Sequence, residues 1–153
     1  MTEQEIKGNG PNIFEILKKD HQYVNGLFKQ MIDSKKFDTA VYDQTKKALK
    51  AHFAGEEKLI YSRIENNREM RTLALEAYEA HDLGKQIMID IDMSEDFSAD
   101  WLYAKVKMLS VAVSMHFTEE ETDLFKKVKN VFSAKDESEL GRLFEQEKNV
   151  AMK

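Results

Sequence analysis

One six-residue phrase occurs twice in this chain and constrains everything around it. His52-Phe53-Ala54-Gly55-Glu56-Glu57 returns as His116-Phe117-Thr118-Glu119-Glu120-Glu121, so both copies read H-F-x-x-E-E. Each is followed by an apolar step, Leu59-Ile60-Tyr61 and Leu124-Phe125. Residues four apart on an α-helix differ by about 40° in direction and about 6 Å in rise. His52 and Glu56 therefore project from one face, and so do His116 and Glu120. An imidazole and a carboxylate stacked on one helix face are transition-metal ligands. The other two of the four histidines, His21 and His81, each precede one copy. The order His, His-x-x-x-Glu, His, His-x-x-x-Glu uses every histidine in the chain.

The pattern asks for helices, and the chain supplies them. It has 153 residues, one third of them charged, with a single Pro and six Gly. That is one domain of ordinary size, with a composition that favours helix over sheet. Residues 1–11 end in Gly8-Asn9-Gly10-Pro11 and read as a flexible lead. Asn12, with Glu15 three residues on, opens a first helix carrying Phe14, Leu17, His21, Val24, Phe28 and Met31 at three- and four-residue steps. It should stop near Ser34-Lys35-Lys36. Asp38 or Thr39 caps a second helix, with Thr45, Leu49, His52, Glu56, Leu59 and Arg63 in one stripe. After a break at Glu65-Asn66-Asn67, a third helix from about Arg68 to Ile91 aligns Met70, Ala74, Ala77, His81, Gly84 and Met88. Ser98 or Asp100 caps the fourth, which aligns Trp101, Leu109, Ala112, His116, Glu120 and Asp123. A short fifth helix, with Asp136 as N-cap, is expected to pack on the outside or end of the others. The expected fold is all-α: an antiparallel up-down four-helix bundle over 12–132, with 133–153 as the C-terminal helix.

A core holding four imidazoles and two carboxylates without a metal would carry several kcal/mol of unmet desolvation. Two metals fit the doubled pattern better than one. Each would take two histidines, and the carboxylates would bridge at the roughly 3.5–4 Å separation of two-metal sites. Other metal motifs fail on spacing. Ferritin-type sites need Glu-x-x-His, but Lys18, Leu49, Tyr78 and Val113 stand three before the histidines. There is no H-E-x-x-H, and there is no cysteine for a zinc finger or a nucleophile. A net charge of −5 with no basic stripe gives nucleic-acid binding no support. No membrane-length apolar run is present. The acidic N-terminus lacks a signal-peptide core, so a cytoplasmic protein is expected. The eight methionines read as core filler.

On these residues the chain resembles the hemerythrin-like, HHE cation-binding domains, over about residues 12–130. The resemblance implies a four-helix bundle with a non-haem centre of two iron ions, bridged by solvent or oxide. His21, His52, His81 and His116 would be terminal ligands, and Glu56 and Glu120 the bridges. Glu120 is chosen over Glu121 because it mirrors Glu56. The ligand types alone would also admit manganese or zinc. Oxygen-carrying relatives have a fifth histidine on the third helix, four residues from the other. Here those positions are Ala77 and Lys85, so an open coordination position is expected beside His81, flanked by Ala77 and Gly84. Tyr78 or Tyr23 is a candidate replacement ligand. Asp20, Glu57 and Glu121 are candidates for orienting imidazoles. The expected partner is a small diatomic or peroxide ligand, with neither nucleic acid nor membrane. Three functions follow: a redox protein reacting with hydrogen peroxide, dioxygen or nitric oxide, including catalase-like peroxide decomposition; an oxygen-binding or sensing module without turnover; and an iron-homeostasis protein.

Overall fold

A computed structural model describes residues 12–152, so the lead at 1–11 lies outside the described residues. The described chain forms five helical rods and no strand. The first is α1 (Ile13–Ser34). The second runs through α2 (Thr39–Glu56), a π-turn (Glu57–Tyr61) and α3 (Ser62–Ile64). The third is α4 (Arg71–Asp92). The fourth runs through α5 (Ala99–Glu119), a second π-turn (Glu120–Leu124) and α6 (Phe125–Val128). The fifth is α7 (Ala134–Ala151).

The starts follow from capping chemistry. Asn12 accepts from the Phe14 amide, Asp38 from Val41 and Ser98 from Trp101. These side chains satisfy backbone donors that a helix leaves orphaned at its first turn. The fifth helix starts earlier than expected. Ser133, not Asp136, is its cap, and Asp136 returns the bond to the Ser133 amide in a capping box. α1 stops where Lys35 enters the left-handed region at φ 54°, with its amide bonded to Ile32.

Two apolar clusters flank a polar middle layer. One contains Ile13, Leu17, Ile60, Ile64, Phe125 and Phe144. The other contains Val24, Phe28, Leu49, Met88, Leu109 and Val113. The four histidines, each at most 4% exposed, lie between them. Trp101 does not belong to the buried face of α5. It is 62% exposed, and the stripe runs instead through Val106, Leu109, Val113 and His116.

α7 is not short, and it lies on the outside of the first two rods. Its 18 residues match the length of α2, and it packs on α1, α2 and the first π-turn. Phe144 is fully buried, and a Cβ built on Gly55 would come within 2.5 Å of its ring. Gly55 is thus the notch that lets α7 lie against the helix carrying Glu56. Asn12 Nδ2 donates to Glu137 at 2.6 Å and Lys58 to Glu147 at 2.6 Å, tying the same helix down along its length.

Candidate metal centre

The four fixed positions of the doubled phrase each have a task at the middle layer. His52 and Glu56 on the second rod, and His116 and Glu120 on the fourth, point inward as helical spacing requires. Glu56 Oε1 lies 2.9 Å from His52 Nε2 and 3.3 Å from His81 Nε2. Glu120 Oε1 lies 3.4 Å from His21 Nε2 and 3.3 Å from His116 Nε2. Each carboxylate thus touches one histidine from each half of the chain. The phenylalanines lie flat on the facing half: Phe53 stacks on His81 at 4.0 Å and Phe117 on His21 at 3.8 Å. The second glutamates reach the same two rings from the other side. Glu57 lies 3.1 Å from His81 Nδ1 and Glu121 3.5 Å from His21 Nδ1. Asp20 accepts from His52 Nδ1 at 2.9 Å. All three expected orienting carboxylates therefore contact a ring nitrogen. Glu120 is buried in the centre, whereas the Glu121 side chain is 35% exposed.

These atoms form two groups that could hold a metal ion. One comprises His21, His52, Glu56 and Glu120, the other Glu56, His81 and His116, with ligand atoms within 4.8 Å of one another in each. The six residues singled out by sequence are those brought together. The donor set passes a physical test. His21 Nδ1 and Nε2, His52 Nε2, both Glu56 oxygens and Glu120 Oε1 are buried without an aligned protein hydrogen-bond partner among the described residues. The 2.9 Å approach of His52 to Glu56 is close but not aligned as a hydrogen bond. His21 Nδ1 faces Glu121, and the other five converge on the centre, which is costly unless a cation completes them.

Protonation preferences show the same tension. Burial, with the nearby His52, pushes His21 down to about 3, and burial pushes His116 down to about 4. Burial also opposes a charge on His52, but Glu56 and Asp20 outweigh it and hold this ring up to about 9. Burial works to raise both Glu56 and Glu120. His52 overrides it at Glu56, which lies well below the usual carboxylate range, and the Glu56 charge then adds to it at Glu120, which lies well above. Two carboxylates this close do not share negative charge equally without a cation.

One residue at the centre carried no signal for sequence reasoning. Tyr61 is fully buried, and its hydroxyl donates to Glu120 Oε2 at 2.5 Å. The Tyr61 hydroxyl oxygen also lies 3.2 Å from His81 Nε2 and 3.4 Å from His116 Nε2. In a regular α-helix Tyr61 would point about 140° away from Glu56. The π-turn, closed by i→i+5 bonds, brings it back over Glu56. The second π-turn does the same for Phe125, whose ring stacks 6.1 Å from His21. At this position the two halves thus differ by one hydroxyl.

The expected replacement tyrosines lie elsewhere. Tyr78 is half-buried and donates to Glu65 at 3.1 Å, and Tyr23 is 52% exposed. Nor do Ala77 and Gly84 flank a common opening. A Cβ on Gly84 would meet the Phe53 ring at 3.5 Å, so that glycine makes room for the ring stacked on His81. Ala77 does line a pocket of about 300 Å³, with His116 and Glu120 in its wall and Glu76, Glu119 and Asp123 around it.

An all-helical fold whose middle layer is an imidazole–carboxylate cage defines a metal-binding helical protein. Residues 12–128 match the hemerythrin HHE cation-binding domain, and the chain belongs to that family. No curated protein and no solved structure matches it. None of the described helices is long and apolar enough to cross a membrane.

Proposed function

We propose that this chain is a non-haem di-iron protein that reacts with a small oxidant, hydrogen peroxide foremost, at the His81–His116 side of its centre. Family membership and the two ligand groups sharing Glu56 support two ions held by His21, His52, His81, His116, Glu56 and Glu120. An antiparallel four-helix bundle fits the cross-contacts. Tyr42 near the start of α2 donates to Asp92 at the end of α4, while Glu65 beyond α3 meets Tyr78 in the first half of α4.

The observation that carries the reading is the asymmetry of the centre. The pocket reaches His116 and Glu120, where the Tyr61 hydroxyl also sits. The other half carries Phe125 in the corresponding place and is covered by α7. Bound iron would supply the change of oxidation state that peroxide decomposition needs. In that reaction one peroxide is reduced to two waters while a second is oxidised to dioxygen. The chain's part is to admit a small neutral molecule past Ala77, exclude bulk water with the apolar clusters, and offer a hydroxyl hydrogen at Tyr61 Oη. At rest Glu120 accepts that hydrogen and orients the phenol, so donation to an incoming oxygen exchanges one acceptor for the other.

The test is iron-loaded protein given peroxide, with oxygen evolution and recovery of the starting spectrum followed together. Turnover in proportion to iron content is expected. A stable adduct with no oxygen release would instead support the second reading, reversible oxygen binding, which the same hydrogen-bond donor would serve.

A further inference from the structure

The C-terminal helix reaches the centre through one side chain. Lys148 Nζ donates to Asp20 Oδ1 at 2.5 Å, and Asp20 Oδ2 accepts from His52 Nδ1 at 2.9 Å. His52 Nε2 then faces Glu56, the carboxylate common to both ligand groups. A lysine from α7 is thus two contacts away from a candidate metal ligand. It also lies beyond residues 12–128, the part that matches the family.

The opposite half has a similar series, with a different origin for the lysine. Glu57 lies against His81 Nδ1 and accepts from Lys85 at 3.0 Å. Lys85 comes from the same helix as His81, one turn on, so that series is internal to α4 and its neighbour. On the His52 side no such local cation meets Asp20 among the described residues, and a distant helix supplies one. The residue corresponding to Asp20, just before His81, is Ala80, so Asp20 is a feature of one half alone. A carboxylate only 8% exposed needs partners for both oxygens. His52 satisfies one and Lys148 the other. Phe144 sets the height of the lysine by seating α7 over Gly55, with its ring edge-on to His52 at 5.9 Å.

We propose that Lys148 is a positioning residue of the metal centre, pinning Asp20 against His52 Nδ1 so that His52 presents Nε2 inward. α7 is then part of the His21–His52 half, not an appendage. An imidazole whose Nδ1–H is held by a carboxylate has only Nε2 left to offer as a ligand. The inference rests on the metal-binding reading above.

The experiment compares full-length wild type, Lys148→Met and Lys148→Arg by two measurements. Cobalt(II) titration gives the affinity of each ion, and proton NMR of the metal-free protein gives the His52 Nδ1–H signal shielded by Asp20. Lys148→Met should weaken one of two cobalt ions by about ten- to a hundredfold, the usual effect of losing an outer-shell partner, and should lose the proton signal to solvent exchange. Lys148→Arg, which keeps the cation, should retain both. Unchanged cobalt affinity in Lys148→Met overturns the proposal, and so does an equal loss in Lys148→Arg, which would make the effect one of packing. If wild type binds no cobalt yet the proton signal responds as stated, the metal reading fails and the tether stands.

Discussion

Replacing Tyr61 by Phe isolates one atom. The second half of the chain already places Phe125 at the equivalent turn, so the ring without its hydroxyl is compatible with this backbone. The change deletes the donor to Glu120 Oε2 and leaves that buried oxygen without its partner. A hydrogen bond to a carboxylate contributes about 1.5–3 kcal/mol. Burial and Glu56 both work against a charge on Glu120, so the lower end applies. For a chain of this size 1 kcal/mol moves the thermal midpoint by about 2–4 °C, so the metal-free variant should melt roughly 3–6 °C lower. The assay is thermal unfolding of metal-free wild type, Tyr61→Phe, Glu120→Gln and the double variant. Their coupling energy should be at least about 1 kcal/mol, as for residues in direct contact. In the iron-loaded protein, peroxide consumption per iron should drop about tenfold or more, since each 1.4 kcal/mol of barrier is a factor of ten. Additive stability effects, together with unaltered peroxide turnover, would refute the role given to the hydroxyl.

Glu56→Ala and Glu120→Ala should each weaken both ions together, measured by elemental analysis after dialysis, because each carboxylate touches histidines of both halves; Glu121→Ala should be mild. In the metal-free protein, burial keeps His21 at about 3 and His116 at about 4, against 6.5 for the unfolded chain. The unfolded chain takes up those protons first, so this contribution is full above 6.5 and is lost as pH falls towards 4. His52 runs the other way: held at about 9, its contribution is full below 6.5 and is lost as pH rises through 9. Urea unfolding across this range should therefore give a stability maximum between the two flanks, and a flat profile would contradict the buried neutral rings. Ala77→Leu should narrow the pocket beside His116 and slow azide binding and peroxide consumption, at a packing cost of about 1–3 kcal/mol. Gly55→Ala should destabilise the metal-free protein by about 1–3 kcal/mol in urea unfolding, because the fully buried Phe144 ring has no room to retreat.

The inward-facing half of the centre was legible because it obeys α-helical spacing. His52 with Glu56 and His116 with Glu120 are four apart, and His21 and His81 sit within apolar stripes at the same period. The repeat of Phe53 and Phe117, and of Glu57 and Glu121, was also visible. Their task was not, since stacking on and bonding to the facing half depends on which rods become neighbours. Tyr61 was hidden for a different reason. Its position is set by a turn that breaks the period on which the reading relied, as Arg63 also shows: it was expected in the buried stripe and is exposed, while Ile60 and Ile64 are buried. Lys148 lay beyond reach because its link to Asp20 spans 128 positions of sequence. Ala77 and Gly84 read alike as small residues, yet one borders a cavity and the other accommodates a ring.

The paired π-turns set local backbone comfort against the centre. Deleting one residue from Glu57–Tyr61 would let the second rod run as uninterrupted α-helix, with better-aligned hydrogen bonds. The same deletion would place Tyr61 four positions after Glu56, within about 40° of its direction, so the later side chains would keep their faces. Winding the undeleted rod as regular α-helix would instead turn Tyr61 away from Glu120 and Ile64 away from the core by about 100°. The π-turn therefore absorbs one extra residue without a change of phase, and its cost is confined to its own hydrogen bonds. Selection on the centre and the core holds in place a turn that helix stability alone would straighten.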